Sequence, residues 1–181
     1  MKTDARVRYT LKMLKDSLLR LLEEKPINKI TVKEVCERAE LNRATFYAHY
    51  SDCFALLESI EEDLLEAFQQ SLKLVASFDV TALIEAIYTM IEQQQEACRV
   101  LIFQNVCPNV LRRMISLARG KSIAYWKQHL HRVTEAELEM LYTHLSNGLM
   151  HVVVEGYEKY SREEVVRFVN RIVQCSLSQF Q

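Results

Sequence analysis

The apolar residues of this chain recur mostly three and four positions apart, which is the spacing of amphipathic α-helices. The first such pattern starts at Val7 and is expected to end before Pro26, because a proline disfavours the α conformation in the residue that precedes it. A second long helix is predicted after residue 52, and Phe54 is expected to be its first inward-facing residue. With only three glycines, two prolines and little strand-like alternation, the chain is predicted to be all-α, with about nine helices.

Polar residues mark several of the predicted helix starts. Three Ser/Thr residues are each followed, three positions later, by a glutamate, which is the pattern of a capping box. These pairs are Thr31 with Glu34, Thr134 with Glu137, and Ser161 with Glu164. Asn42, Asp79 and either Ser51 or Asp52 are predicted as further N-caps. No linker or repeat interrupts the series of helices.

Residues 31–53 are predicted to form two short helices joined by a tight turn. Phe46 and Tyr50 lie four apart on one face and are assigned to the core. A helix this short is not stable alone in water, so its neighbours must hold it. Its other side carries the guanidinium of Arg43, the hydroxyl of Thr45, the phenol of Tyr47 and the imidazole of His49. Such groups suit the major groove of DNA and the phosphates beside it.

Residues 41–57, LNRATFYAHYSDCFALL, resemble the recognition-helix signature of the TetR family of bacterial transcriptional regulators. The shared pattern is a small polar cap, Thr-Phe-Tyr, a His-aromatic pair and a following helix that opens with Leu-Leu. The resemblance is specific from about Leu11 to Leu65 and only architectural beyond. It implies a helix-turn-helix DNA-binding head of three helices, residues 1–50, and a helical body for ligand binding and dimerisation, residues 51–181.

The resemblance also implies which residues contact DNA. They are Lys33, Asn42, Arg43, Ala44, Thr45, Tyr47 and His49. Arg43 and Thr45 match positions that contact bases or phosphates, and a bidentate arginine–guanine pair contributes about 1–3 kcal/mol of discrimination. Tyr47 matches a tyrosine that contacts phosphate.

Two residues depart from the family pattern. Glu40 stands in the turn where the family usually has glycine, so the backbone there either avoids positive φ or is strained by about 1–2 kcal/mol. Cys53 stands where a lysine is common, which removes one expected phosphate contact.

The charge is distributed unevenly along the chain. Residues 1–50 contain 11 Lys/Arg and 7 Asp/Glu, a balance of +4, and the remaining residues contain 12 and 17, a balance of −5. This asymmetry fits a small basic DNA reader attached to an acidic body.

The five cysteines are odd in number, scattered, and never spaced as CxxC. Together with the absence of a signal-peptide pattern and of an apolar run long enough to span a membrane, they favour the reducing cytoplasm. Cys53, at a polar helix start, is the candidate for a reactive thiol.

Aromatic and polar residues of the body are candidates for a small-molecule pocket, although each is also an ordinary core residue. They are Tyr88, Phe103, Met114, Tyr125, Trp126 and His144. No arginine cluster accompanies them, so an apolar or aromatic ligand is expected rather than a sugar phosphate. No Cys or carboxylate completes a metal-ligand spacing with the histidines, and no catalytic constellation is present. We therefore expect no metal, no cofactor and no enzymatic activity.

The last two helices carry apolar stripes wider than one intramolecular partner needs. The TetR resemblance implies that they form a two-fold, four-helix dimer interface. The candidate interface residues are Leu145, Leu149, Val165, Phe168, Val169 and Ile172. A two-fold dimer presents two recognition helices about 34 Å apart, which predicts a palindromic operator.

These features favour a homodimeric, sequence-specific transcriptional regulator, more specifically a repressor released from double-stranded DNA by a small-molecule effector. The alternative is a protein–protein adaptor or co-regulator that keeps the fold without specific DNA binding. Glu40 and Cys53 are the residues that favour the alternative.

Overall fold

The computed structural model describes residues 5–73, 80–104 and 106–180. Within these ranges the chain forms nine α-helices and no β-strand, which confirms the all-α prediction. The helices are α1 Ala5–Glu24, α2 Val32–Ala39, α3 Arg43–Tyr47, α4 Cys53–Lys73, α5 Val80–Gln93, α6 Gln95–Ala97, α7 Pro108–His129, α8 Glu135–Gly156 and α9 Arg162–Leu177. Short 3₁₀ turns cover Ile27–Lys29 and Ser178–Phe180, and α6 continues into a π-helical turn at Cys98–Phe103. None of the described helices has the length and apolar character needed to cross a membrane.

The described residues form two compact units, and the boundary between them falls within α4, after Leu64. The first unit contains the chain up to that point together with Gln95–Cys107. The second contains Leu65–Gln94 and the chain from Pro108 onwards. The functional division at residue 50 remains a prediction from the sequence.

The first unit is built around α1, which contacts α2, α6 and the π-helical turn. Leu14, Leu18 and Phe46 are fully buried in its core. Near the end of α1, the carboxylate of Glu23 accepts hydrogen bonds from Arg99 and Gln104, and the bond from Arg99 lowers the pKa of Glu23. The segment after α6 is thereby fastened to the helix that supports α2.

The second unit packs α7 against α8, and α9 against both α5 and α8. Arg162, at the start of α9, pairs with Glu85 and Glu92 of α5 and lies 5.2 Å from the ring centroid of Tyr88. Gly120 lies inside the continuous helix α7 and does not interrupt it.

All three predicted capping boxes are present. In the box at α8, Glu137 N donates to Thr134 Oγ1 at 3.3 Å, and Thr134 N donates to Glu137 Oε2 at 2.7 Å. The bond from the Thr134 amide lowers the pKa of Glu137. Asp52 caps α4, since Ala55 N donates to Asp52 Oδ1 at 2.8 Å. Asp79, the predicted cap of α5, lies outside the described residues.

Candidate nucleic-acid interface and body cavity

The helix-turn-helix begins at the capping box of α2. Thr31 N donates to Glu34 Oε2 at 3.0 Å, and Lys25 forms a salt bridge to the same carboxylate. The Lys25 bond, with those from Thr31, lowers the pKa of Glu34 to about 2. The start of α2 is thus fixed to the segment that follows α1.

The turn between α2 and α3 is a Schellman motif built on a glutamate. Glu40 has φ 55° and ψ 37°, the left-handed conformation that glycine adopts without strain. Leu41 N donates to Cys36 O at 2.9 Å, and Glu40 N donates to Glu37 O at 3.4 Å. Of the two possibilities raised by the sequence, Glu40 therefore adopts the strained positive φ, and the geometry of the turn is preserved.

Helix α3 is held from its N-cap and from its buried face. Asn42 Oδ1 accepts from Thr45 N at 2.7 Å and from Thr45 Oγ1 at 2.9 Å, so the predicted N-cap is present. Phe46 is fully buried, and the rings of Tyr47 and Tyr50 lie 5.6 and 6.0 Å from its ring. The side chains of Asn42 and Thr45 are thus hydrogen-bonded to each other, which fixes the orientation of the helix.

The other predicted contact residues lie at the surface, and all of them except Ala44 have a polar side chain. We call Lys33, Arg43, Ala44, Tyr47 and His49 the recognition surface; all five are exposed, and the side chain of Tyr47 is 57% accessible. Among the described residues, Arg43 has no ion pair and no side-chain hydrogen bond. Lys33 pairs with Glu37 at 3.6 Å, an exposed ion pair that contributes only about 0–1 kcal/mol. Both cations are available to an external anion.

The structure corrects two expectations at the start of α4. Cys53 is only 4% exposed, and burial raises the pKa of its thiol to about 11, so the expectation of a reactive thiol is wrong. Phe54, expected to point inward, is exposed.

The second unit contains a partly open cavity of about 60 Å³ between side chains from α4, α5, α7, α8 and α9. Of the six candidate pocket residues, Met114 and Trp126 line it. Leu145 and Leu149, candidates for the dimer interface, also line it.

The other four pocket candidates lie elsewhere. Tyr125 lines a separate polar pocket, His144 borders an open groove between α8 and α9, and Tyr88 packs against Tyr157 with ring centroids 5.5 Å apart. Phe103 belongs to the π-helical turn of the first unit.

Three hydroxyl side chains line the cavity, and two of them donate hydrogen bonds to backbone carbonyls. Tyr142 Oη donates to Ile115 O at 2.5 Å, and Ser146 Oγ donates to Tyr142 O at 2.6 Å. Ser122 is 2% exposed, and its hydroxyl has no hydrogen-bond partner among the residues that the structure describes. Sequence reasoning did not single out Ser122, although it lies four residues before Trp126 and eight after Met114 on the same face of α7.

The candidate dimer residues differ in their exposure. Val165, Val169 and Leu145 are buried within the protomer. Phe168 and Ile172 are each 44% exposed and border the groove of about 190 Å³ between α8 and α9. Leu149 is half-buried.

Comparison with known proteins agrees with this geometry. Residues 16–60, which include the whole helix-turn-helix, match the model of the tetR family of bacterial regulatory proteins. An uncharacterized HTH-type transcriptional regulator of Bacillus subtilis (strain 168), YxbF, is 37% identical over 59 residues. That match covers 33% of this chain and only 16% of the length of YxbF.

Solved structures share the fold along nearly the whole chain. A TetR transcriptional regulator from Streptococcus agalactiae 2603V superposes with a TM-score of 0.68 at 20% identity, covering 94% of this chain and 96% of its own. The protein in the SmeT–triclosan complex superposes with a TM-score of 0.67 at 14% identity, covering 92% and 90%. At these identities, the superpositions establish the fold alone.

Proposed function

We propose that this chain, whose residues 16–60 match the model of the tetR family of bacterial regulatory proteins and whose fold is that of solved TetR regulators, is a homodimeric, sequence-specific transcriptional regulator. The observation that carries the proposal is the arrangement of α3. Its buried Phe46 and its Asn42 cap fix a short helix whose outward side presents Arg43 and Tyr47. A rigid helix with unengaged polar groups on its outer face is what reading a major groove requires.

Within the recognition surface the residues have different roles. The free guanidinium of Arg43 has the fork that binds the O6 and N7 atoms of guanine. The phenol of Tyr47 and the ammonium of Lys33 bind phosphates, which place the head on the duplex without reading its sequence. The loose ion pair between Lys33 and Glu37 opens at little cost when a phosphate replaces the carboxylate.

A second copy of the chain covers the exposed apolar side of α8 and α9. Phe168 and Ile172 lie one turn apart on α9, and both are accessible beside the groove. On α8, Gly148 is exposed, and apart from its chain neighbours and the nearby backbone of α8 no heavy atom of the described residues lies within 4 Å of the position its Cβ would occupy. A flat glycine surface next to two large apolar side chains allows two helices to approach closely around a two-fold axis.

A small-molecule effector binds in the cavity of the second unit and releases the repressor from DNA. Phe68 of α4 lines the cavity, and the same helix begins at Cys53, directly after the recognition helix and its turn. The effector must bind the two conformations of the protein with different affinities, because otherwise it shifts no equilibrium. One protein of similar fold was solved in complex with triclosan, which supports a small-molecule effector here.

The preserved turn argues against the adaptor alternative. Glu40 adopts the conformation of the glycine it replaces, and the Schellman hydrogen bonds are made. The recognition helix therefore keeps its geometry, and Glu40 gives no structural reason for a loss of DNA binding.

Selection from a library of random duplexes tests the proposal. We expect enriched sequences with two inverted half-sites whose centres lie about 34–36 Å apart. The complex with enriched DNA should weaken steeply with salt, with a log–log slope of about −0.9 for each phosphate contacted. A library that remains random after selection would instead support the adaptor.

A further inference from the structure

We propose that the cavity of the second unit binds an uncharged, largely apolar small molecule through one hydrogen bond to the hydroxyl of Ser122. The inference rests on the proposed function, because it specifies the effector that the cavity would hold. It depends on how Ser122 differs from other hydroxyls of the chain, and on the charge and size of the cavity.

Hydroxyl side chains inside helices commonly donate to the backbone carbonyl four residues earlier. In the described part of the chain, five helical residues do so at distances of 2.6–3.1 Å: Ser71, Thr89, Thr143, Ser146 and Ser176. Ser122 lies in the middle of α7 and makes no such bond. A buried hydroxyl without a partner is unfavourable, and such groups in folded proteins call for an explanation. A ligand that bonds to Ser122 Oγ supplies one.

The other two hydroxyls of the cavity wall differ from Ser122, because their protons are already engaged. The hydroxyls of Tyr142 and Ser146 already donate to backbone carbonyls. Of the described residues that line the cavity, none is charged. A carboxylate or phosphate would lose its hydration there and meet no opposite charge, so an ionised ligand is disfavoured. The chemistry therefore selects a neutral, largely apolar molecule with a hydrogen-bonding group that meets Ser122.

The size of the cavity restricts the ligand further. Its volume of about 60 Å³ has room for a few water molecules, and Met114, Met150 and Trp126 form part of its wall. Methionine side chains are flexible and adapt to an inserted group. A single ring or a short chain is the size class that enters with such side-chain adjustment.

The test uses three single-ring probes of similar size: phenol, toluene and benzoate. Their dissociation constants are measured without DNA, by following the methyl NMR signals of Met114 and Met150 on the cavity wall. In the wild type we expect phenol and toluene to bind and benzoate not to bind. Ser122→Ala should weaken the binding of phenol by roughly 3–10-fold, which corresponds to the loss of one neutral hydrogen bond. It should change the affinity for toluene by less than about twofold.

Ser146→Ala is the matched control, because it removes a hydroxyl from the same cavity wall that is already bonded to Tyr142 O. Its ratio of phenol to toluene affinity should equal that of the wild type. Circular dichroism checks that both variants fold, and binding to selected duplexes reports on the proposed function separately. The inference is overturned if Ser122→Ala weakens the binding of phenol and toluene equally, or if it leaves the affinity for phenol unchanged. It is also overturned if benzoate binds as well as phenol, or if no probe shifts the two methionine signals.

Discussion

The amide of Leu41 donates to the carbonyl of Cys36 at 2.9 Å, across a turn in which Glu40 has φ 55°. This hydrogen bond closes the turn that leads from α2 into α3. The turn requires Glu40 to adopt the left-handed backbone conformation. The steric cost of that conformation for a residue with a Cβ is about 1–2 kcal/mol. The position of the recognition helix is thus maintained by the surrounding structure, against the preference of the residue in the turn.

Replacing Glu40 with glycine should stabilise the protein. Glycine removes the steric strain but adds backbone entropy to the unfolded chain, so we expect a net gain of about 0.5–1 kcal/mol in the free energy of unfolding. Urea denaturation measures it. Glu58→Gly, at an exposed position within α4, is the control and should cost about 1 kcal/mol. If Glu40→Gly is less stable than the wild type, the Glu40 side chain contributes more to the free energy of unfolding than the strain of its backbone removes.

The contact between Lys25 and Glu34 should make part of the stability depend on pH. The pKa of Glu34 is lowered from 4.5 to about 2, chiefly by Lys25. A carboxyl group with a lowered folded-state pKa stabilises the protein fully above its unfolded value, and this contribution is lost as the pH falls from about 4.5 towards 2.

Lys25→Met should raise the pKa of Glu34, which is followed by NMR titration of its carboxyl carbon. The loss of unfolding free energy between pH 6 and pH 3 should be smaller in this variant than in the wild type, because less of the linkage remains. Titration of Glu34 at the same pH in both proteins would contradict the role given to Lys25.

The dimer proposal separates two apolar residues three positions apart on α9. Ile172→Glu places a charge on the exposed face, so the variant should sediment as a folded monomer where the wild type is a dimer at micromolar concentration. Val169 is 4% exposed, and Val169→Glu should destabilise the protomer itself, by on the order of 4 kcal/mol.

Gln174→Glu is the control for the dimer experiment, because Gln174 is exposed on α9 beside the polar pocket that contains Tyr125. It should remain dimeric. A wild type that sediments as a folded monomer would remove the basis for binding two half-sites.

Cys53 should not react with a thiol reagent in the folded protein. Burial raises the pKa of its thiol to about 11, so little thiolate forms near neutral pH. Cys53→Ser should therefore leave the number of fast-reacting thiols unchanged, as measured with an aromatic disulfide reagent. In denaturant, five thiols should react in the wild type and four in the variant. The loss of a fast thiol in folded Cys53→Ser would contradict the buried placement.

Features fixed by neighbouring residues could be predicted from the sequence. The capping boxes at Thr31, Thr134 and Ser161 need only a hydroxyl and a glutamate three positions apart, and all three form. The alternation of buried Phe46 with exposed Tyr47 in α3 likewise follows from helical spacing.

Features that depend on distant contacts could not be predicted. Arg99 bonds to Glu23, 76 positions away, and the segment that carries Phe103 lies in the first unit rather than beside the cavity. Ser122 looks like an ordinary helical serine, and only the packing of α7 decides whether its hydroxyl finds a carbonyl. Phe54 fits the spacing of a core residue, yet it is 56% exposed.

The proposed function depends on the recognition surface, in which Arg43 and Tyr47 have different roles. The direct measurement is the affinity of the wild type, Arg43→Ala and Tyr47→Phe for a selected duplex and its single-base variants, by fluorescence anisotropy at fixed salt. We expect Arg43→Ala to lose about 1–3 kcal/mol on the selected duplex and to stop distinguishing bases at one position of each half-site. Tyr47→Phe should weaken binding to every duplex by a similar factor. If Arg43→Ala weakens all duplexes equally, or the wild type does not distinguish selected from scrambled DNA, α3 does not read sequence and the central claim fails.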